Sequence, residues 1–367
     1  MSTTLPRPSV APVTSRPSRD GAGPALRPVS ARGAVLVAFG ALVGAALLGI
    51  SMGPADVSFS SALRVVASHL PFLHFHSGVN RIDADILWQI RLPRVVLGGL
   101  VGAMLAGGGA AFQGVFRNPL ADPYLLGVAA GAGLGATAVI VGGPGHSELL
   151  PLAAFAGAVG AVTLTYVVGA SVGRQGATAS IVLAGVAVAA LLTAIQTYLQ
   201  QQHTKDLQDV YGWILGRLTV ATWSDVVLIL PYVAISAVVL IAHRRLLDVL
   251  RVGEDEADNL GVRSARVRIT VVAAATLGTA AAVAVSGLIG FVGIIVPHTV
   301  RLATNASYRV VVPVSMIGGA AFLILADIAA RTVLAPGEIP IGVVTAFVGA
   351  PFFLFVLRSR RAGRATS

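Results

Sequence analysis

Three histidines crowd the stretch "HLPFLHFHSG", where His69, His74 and His76 could offer imidazoles to a metal or a haem. No cysteine or carboxylate joins them at ligand spacing, so an amphipathic segment lying on a membrane surface is the competing reading. A second polar group, Pro297, His298 and Arg301, interrupts "GFVGIIVPHTVRLA" at 290–303. His298 stands alone there and reads as a packed side chain. Asp327 precedes Arg331 by one helical turn, a spacing that suits an intrahelical ion pair. The acidic run "EDEAD" at 254–258 suits the first turn of a short helix, where carboxylates complement the dipole. ATP chemistry has no foothold: no GxxxxGK[ST] loop exists, and the only lysine is Lys205 in "HTKDL". No catalytic set, cofactor site or metal site is expected in this chain.

These residues are set in a chain too apolar for solution. Of 367 residues 55% are hydrophobic and 11% charged, and the mean hydropathy is +0.83. Runs near the length that crosses a bilayer fall at about 33–52, 95–115, 123–142, 149–171, 178–199, 226–242, 269–288, 291–304, 310–331 and 340–357. The expected fold class is all-α: a polytopic membrane protein of about ten helices. Segment 1–32, rich in Pro, Ser and Arg, is expected as a disordered cytoplasmic tail, 33–358 as the transmembrane domain and 359–367 as a second tail. Absence of cysteine excludes disulfides and thiolate metal sites. The net charge of +10 is spread through loops and not gathered with aromatic platforms, which argues against nucleic acid. With ten spans the Arg-bearing segments 1–32, 117, 174, 244–268, 301–309 and 358–364 share one side, predicted as the cytoplasm together with both termini.

The 42 glycines recur at close-packing intervals, as at Gly98/Gly102 and Gly127/Gly131/Gly135. Two blocks, 91–120 and 266–298, each run from arginines through a small-residue helix to a Gly/Pro-broken stretch. The odd number of spans between their starts puts them in opposite orientations, as in an inverted repeat. Gly287, Gly290, Gly293 and Pro297 are expected to break the second block so that a short helix enters the bundle and leaves again. His298 and Arg301 would then snorkel toward the cytoplasmic surface. The 243–268 segment reads either as a solvated connector or as a docking handle for a cytoplasmic motor.

Read in order, "WQIRLPR" at 88–94, "RNPLADPYLLGVAAGAGLG" at 117–135, "LAGVAV" at 183–188, "GWILGRL" at 212–218, "VGEDEADNLGV" at 252–262, "SGLIGFVGIIVPHTVRL" at 286–302, "ADIAAR" at 326–331 and "EIPIGVVTAFVGAPFF" at 338–353 resemble the permease subunits of ABC importers for iron-siderophores, cobalamin and haem. The resemblance implies a ten-helix type II importer permease with an inverted repeat, in a bacterial inner membrane. It further implies pairing with a second copy or close paralogue, two ATPase subunits that bind the ATP and Mg, and an extracytoplasmic substrate-binding protein.

By the same resemblance Arg91, Arg94 and Arg331 would face outward and grip acidic residues of that binding protein, a role that competes with the Asp327–Arg331 pair. Asn118, Leu120 and Thr178 would form the cytoplasmic gate. Gly253, Glu254, Asp255, Glu256, Ala257, Asp258, Asn259, Leu260 and Gly261 would couple to the ATPase. Ala179 follows Thr178 where the cobalamin permease carries a hydroxyl, which points to an iron-siderophore or similar metal chelate ahead of cobalamin or haem. An ion-coupled secondary transporter is the rival class, opposed by the scarcity of intramembrane acids.

Overall fold

An apolar run that crosses a bilayer must satisfy its own backbone, which leaves helix as the form open to each of the ten. A computed structural model of the chain describes residues 29–53, 58–69, 78–143, 148–171, 177–304 and 307–365. Among them every regular element is helical. In order these are α1 (Ala31–Ser51), α2 (Phe59–Ser68), α3 (Arg81–Asp85), a π-helical turn (Ile86–Arg91), α4 (Leu92–Val115), a 3-10 turn (Pro123–Leu126), α5 (Val128–Val141), α6 (Leu150–Ala170) and α7 (Ala177–Gln202). A second 3-10 turn (Thr204–Asp206) precedes α8 (Leu207–Ile214), α9 (Trp223–Leu250), α10 (Glu254–Asn259), α11 (Ser264–Ser286), α12 (Val292–Ala303), α13 (Tyr308–Thr332) and α14 (Ile341–Ala365). Seven of these helical runs are long and apolar enough to span a membrane, and α5, α12 and α14 are shorter apolar helices. The expected ten thus all appear. The tail 1–28 lies outside the described residues.

Three boundaries differ from expectation. The second span starts at Arg81 and not near 95, because the π-helical turn carries the helix up to Pro93. Proline lacks an N–H and would break an ordinary i−4 ladder. The turn's wider bonding, with Leu92 N donating to Leu87 O, absorbs the loss. Helix α1 starts inside the expected tail, where Ser30 Oγ accepts from Gly33 N at 3.2 Å. Helix α14 runs on to Ala365, through the segment expected as a second tail.

Helices α4, α11 and α13 form the buried centre, while α1, α6, α7 and α9 keep wide exposed faces. Small residues set the closest crossings. A Cβ on Gly102 would meet the carbonyl of Gly319 and one on Gly319 the carbonyl of Gly102, so α4 and α13 touch backbone to backbone. Helix α4 begins beside the end of α1 and finishes beside the start of α13, while α11 begins beside α10. The two therefore run in opposite directions. The breaks that follow them meet: Tyr124 Oη donates to Ile289 O at 3.1 Å and accepts from Ile289 N at 3.2 Å.

The second break is a reversal and not a helix that enters and leaves. Gly287 (φ +69°) and Phe291 (φ +69°) turn the chain, and α12 runs back toward the start of α13. Pro297 sits inside α12, and Gly293 serves close packing, since its carbonyl occupies the place a Cβ on Gly109 would need.

Candidate functional site

Polar side chains collect at the two ends of the buried centre. At one end the π-helical turn and the start of α4 present Arg91 and Arg94, and α13 brings Asp327 and Arg331. Arg94 Nε donates to Asp327 Oδ1 at 2.9 Å and Oδ2 at 3.1 Å, and Nη2 lies 2.8 Å from Oδ1. Its Nη1 and Nη2 donate to Glu338 Oε1 and Oε2, each at 2.9 Å. Thr219 Oγ1 donates to the same Oε2 at 2.9 Å. Arg331 Nε stands 3.4 Å from Asp327 Oδ2, an ionic contact outside hydrogen-bond geometry, while Nη2 donates to Gly49 O at 2.7 Å. Arg91 Nη1 donates to Ile50 O at 2.9 Å and Ser51 O at 2.8 Å.

The three arginines are thus brought together, but inside the chain. Arg91, Arg94 and Arg331 are 3%, 6% and 3% exposed, so none presents a free fork outward in this conformation. The intrahelical Asp327–Arg331 pair is present, with Arg94 as the closer partner of that carboxylate. Glu338, in the segment between α13 and α14, was the residue sequence reasoning missed. Its hydrogen bonds from Arg94 hold its carboxyl below the usual glutamate range, against the opposing effect of partial burial.

Nearby, His69 stacks on Trp88 with ring centroids 3.7 Å apart, and its Nδ1 lies 2.9 Å from Val65 O. Trp223 Nε1 donates to Trp88 O at 2.9 Å. His69 therefore packs at the end of α2, while His74 and His76 lie outside the described residues.

At the other end the acidic run does form a helix, α10. Gly253 holds φ +134° before it, a backbone conformation that favours glycine. Ala257 is fully buried beneath the helix; Asp255, Glu256, Asp258, Asn259, Leu260 and Gly261 face outward. Glu254 pairs with Arg268 of α11, and Asp258 Oδ1 accepts from Ser264 N at 2.9 Å. The helix is thereby pinned to the bundle and offers an acidic outer face.

The loop after α4 carries Asn118 and Leu120, both exposed. Arg117 takes φ +50°, and Asn118 Oδ1 accepts from Leu120 N at 3.0 Å. Both residues line a cavity of about 110 Å³ together with Ile294, His298, Phe352 and Phe353. The side chain of Thr178 lies outside the described residues.

Neither His298 nor Arg301 snorkels. His298 is buried, edge-on to Phe352 with centroids 6.1 Å apart. Arg301 donates to Gln113 Oε1 at 2.7 Å and Tyr308 Oη at 3.0 Å, because α4 and α13 bring these acceptors to it within the bundle. Asp248 of α9 accepts from Ser307 Oγ at 2.6 Å and Tyr308 N at 2.7 Å, joining α9 to α13. Between the two ends, an apolar groove of about 590 Å³ runs past Leu215, Leu288, Phe291, Val343, Phe347 and Ala350.

Known proteins are similar to this chain in sequence and fold. Residues 41–359 match the profile of the FecCD transport family. A cobalamin import system permease protein of Halobacterium salinarum is 41% identical over 323 residues, covering 85% of this chain and 86% of that protein. A hemin transport system permease protein of Yersinia pestis is 37% identical, covering 80% and 90%. An iron(3+)-hydroxamate import system permease protein of Bacillus subtilis is 36% identical, covering 87% and 81%. A solved structure described as an inward-facing metal-chelate type ABC transporter superposes with a TM-score of 0.76 at 27% identity, over 89% of this chain and 98% of the other.

Proposed function

We infer the function from one premise: the chain belongs to the FecCD transport family, and so is a multi-pass permease subunit of an ABC importer. It is not an enzyme by itself. We propose that its cargo is a metal chelate, an iron-siderophore in the first instance. The 590 Å³ groove supports this, since its apolar lining suits the organic shell of a large chelate and offers no donor set that would strip the metal. Cobalamin is the second reading, favoured by the 41% identity to a cobalamin permease. Uptake assays with ferric hydroxamate, hemin and cobalamin in a host lacking its own importers separate them, and uptake of none would sink the chelate assignment.

The energy source in this proposal is a pair of ATPase subunits that bind ATP and Mg and seat on α10. Two copies of the chain, or the chain and a close paralogue, enclose the path between them. Both termini and α10 lie in the cytoplasm of a bacterium, with 1–32 and 359–367 as flanking segments of the permease domain at 33–358. Support comes from charge: Arg117, Arg244, Arg245, Arg251, Arg263 and Arg266 all gather at the α10 end. Asn118, Leu120 and Thr178 form the gate at that end. The opposite end receives an extracytoplasmic binding protein, with Arg91, Arg94 and Arg331 as the basic group on which docking draws. Purified chain in lipid discs is expected to hydrolyse no ATP until the ATPase subunit is added; turnover by the chain alone would overturn the division of labour.

A further inference from the structure

A small polar cavity of about 110 Å³ opens at the Arg94 end, lined in part by Arg94, Arg217, Thr219, Asp327 and Glu338. Its floor and mouth differ. Asp327 is 2% exposed and lies between two arginines, whereas the Glu338 side chain keeps 29% of its surface and Arg217 is exposed. Glu338 belongs to no helix: it rides on the 333–340 segment, tied back where Ile339 N donates to Ala330 O at 2.9 Å. It meets Arg94 through two parallel hydrogen bonds of 2.9 Å, the fork-to-fork geometry by which arginine receives a carboxylate from any source.

Resting on the reading that this end receives the binding protein, we propose that Glu338 is an internal stand-in for a carboxylate of that partner. It holds the outer face of Arg94 in the undocked permease and yields it when an acidic side chain enters past Arg217. Exchange is feasible because Asp327 stays on the inner face of Arg94 throughout, so no buried charge is left unpaired during the swap. The displaced carboxylate retains Thr219 as a donor and stands beside solvent. Burial of the outer face of Arg94 then becomes a regulated state: it is covered by the protein's own acid until a competing one arrives.

The test uses the full chain in lipid discs and a fluorescein-labelled hexaglutamate peptide, read by anisotropy, with melting curves for each variant. Removing the internal competitor by Glu338→Gln is expected to tighten peptide binding about fivefold, the size of one exposed charge pair. Thr219→Val, which loosens Glu338 without removing its charge, is expected to give a smaller gain and serves if Glu338→Gln melts early. Arg217→Glu is expected to weaken binding. If Arg217→Glu weakens binding while Glu338→Gln and Thr219→Val, both still folded at the assay temperature, change nothing, the stand-in is overturned and docking at this end survives. If neither Arg217→Glu nor Glu338→Gln alters binding and added salt has no effect, the docking reading falls with it.

Discussion

At the Arg94 end, charged groups from α4, α13 and the segment after α13 close on one another inside the protein, whereas at the α10 end Asp255 and Glu256 project into solvent from a helix held by its neighbours. The first arrangement joins residues 233 and 244 positions apart in the chain and ties three parts of the bundle together. The second joins near neighbours, Glu254 to Arg268 and Asp258 to Ser264, and leaves the bundle to hold itself. Removing charge should therefore unfold the first region and disconnect the second. Interior charges are expensive to strand, and surface charges are cheap to change.

The largest effect falls on the buried side. Arg94→Leu leaves Asp327 with one poorly aligned partner and should destabilise the chain by about 3–5 kcal/mol, read as a lowered melting temperature in detergent. Adding Asp327→Leu and Arg331→Leu to Arg94→Leu should recover part of that loss, because none of the three buried charges is then left without its partner. A triple variant less stable than the single one would mean that the network contributes through more than charge pairing.

On the exposed side, Asp255→Lys with Glu256→Lys should lower melting only slightly, through the lost match to the α10 dipole, while reducing co-purification of the ATPase subunit about tenfold, the equivalent of roughly 1.4 kcal/mol. These two positions test docking more cleanly than Glu254 or Asp258, whose internal bonds would be lost as well. Unchanged association would return α10 to the role of a connector. A smaller effect is expected at Asp248, which lies at the same end but points inward. Asp248→Asn keeps the shape and weakens two hydrogen bonds from Ser307 and Tyr308, for a loss of about 1 kcal/mol with ATPase binding intact.

What the sequence made legible follows the same division. Ten apolar runs, the acidic α10 and the glycine-lined crossings could be read directly, because hydropathy, helix-dipole chemistry and small-residue spacing are local properties. The π-helical turn before Pro93 could not, since it depends on which carbonyl each N–H selects. Glu338 stood within the quoted "EIPIGVVTAFVGAPFF" segment yet gave no sign of its partner, which lies 244 residues away. Exposure was the least legible property. Arg91, Arg94 and Arg331 have the side chains of an outward-facing grip, and only the fold supplies the acceptors that turn them inward. Pro297 misled for a related reason: within "GIIVPHT" it looks like the break, but the positive φ values fall earlier, at Gly287 and Phe291.

The smallest effect is expected from acid, at the one carboxylate of the buried network that meets solvent. Hydrogen bonds from Arg94 depress the Glu338 carboxyl below its ordinary value of about 4.3, so the folded state favours the ionised form more than the unfolded chain does. The stabilisation from this group is accordingly complete above about pH 4.3 and disappears as pH falls through the depressed folded value, where both states become protonated. Partial exposure and solvent screening hold it to about 1 kcal/mol or less. Wild type should therefore melt above Glu338→Gln by a constant margin between about pH 5 and 8, and the margin should close in stronger acid. Both proteins keep Asp327 on Arg94, so acid effects elsewhere in the chain cancel in the comparison. A margin that widens as pH falls would mean that the protonated carboxyl is the stabilising form. The bidentate pair would then contribute through shape and not through charge, and the contrast between the two ends of the bundle would lose its electrostatic basis.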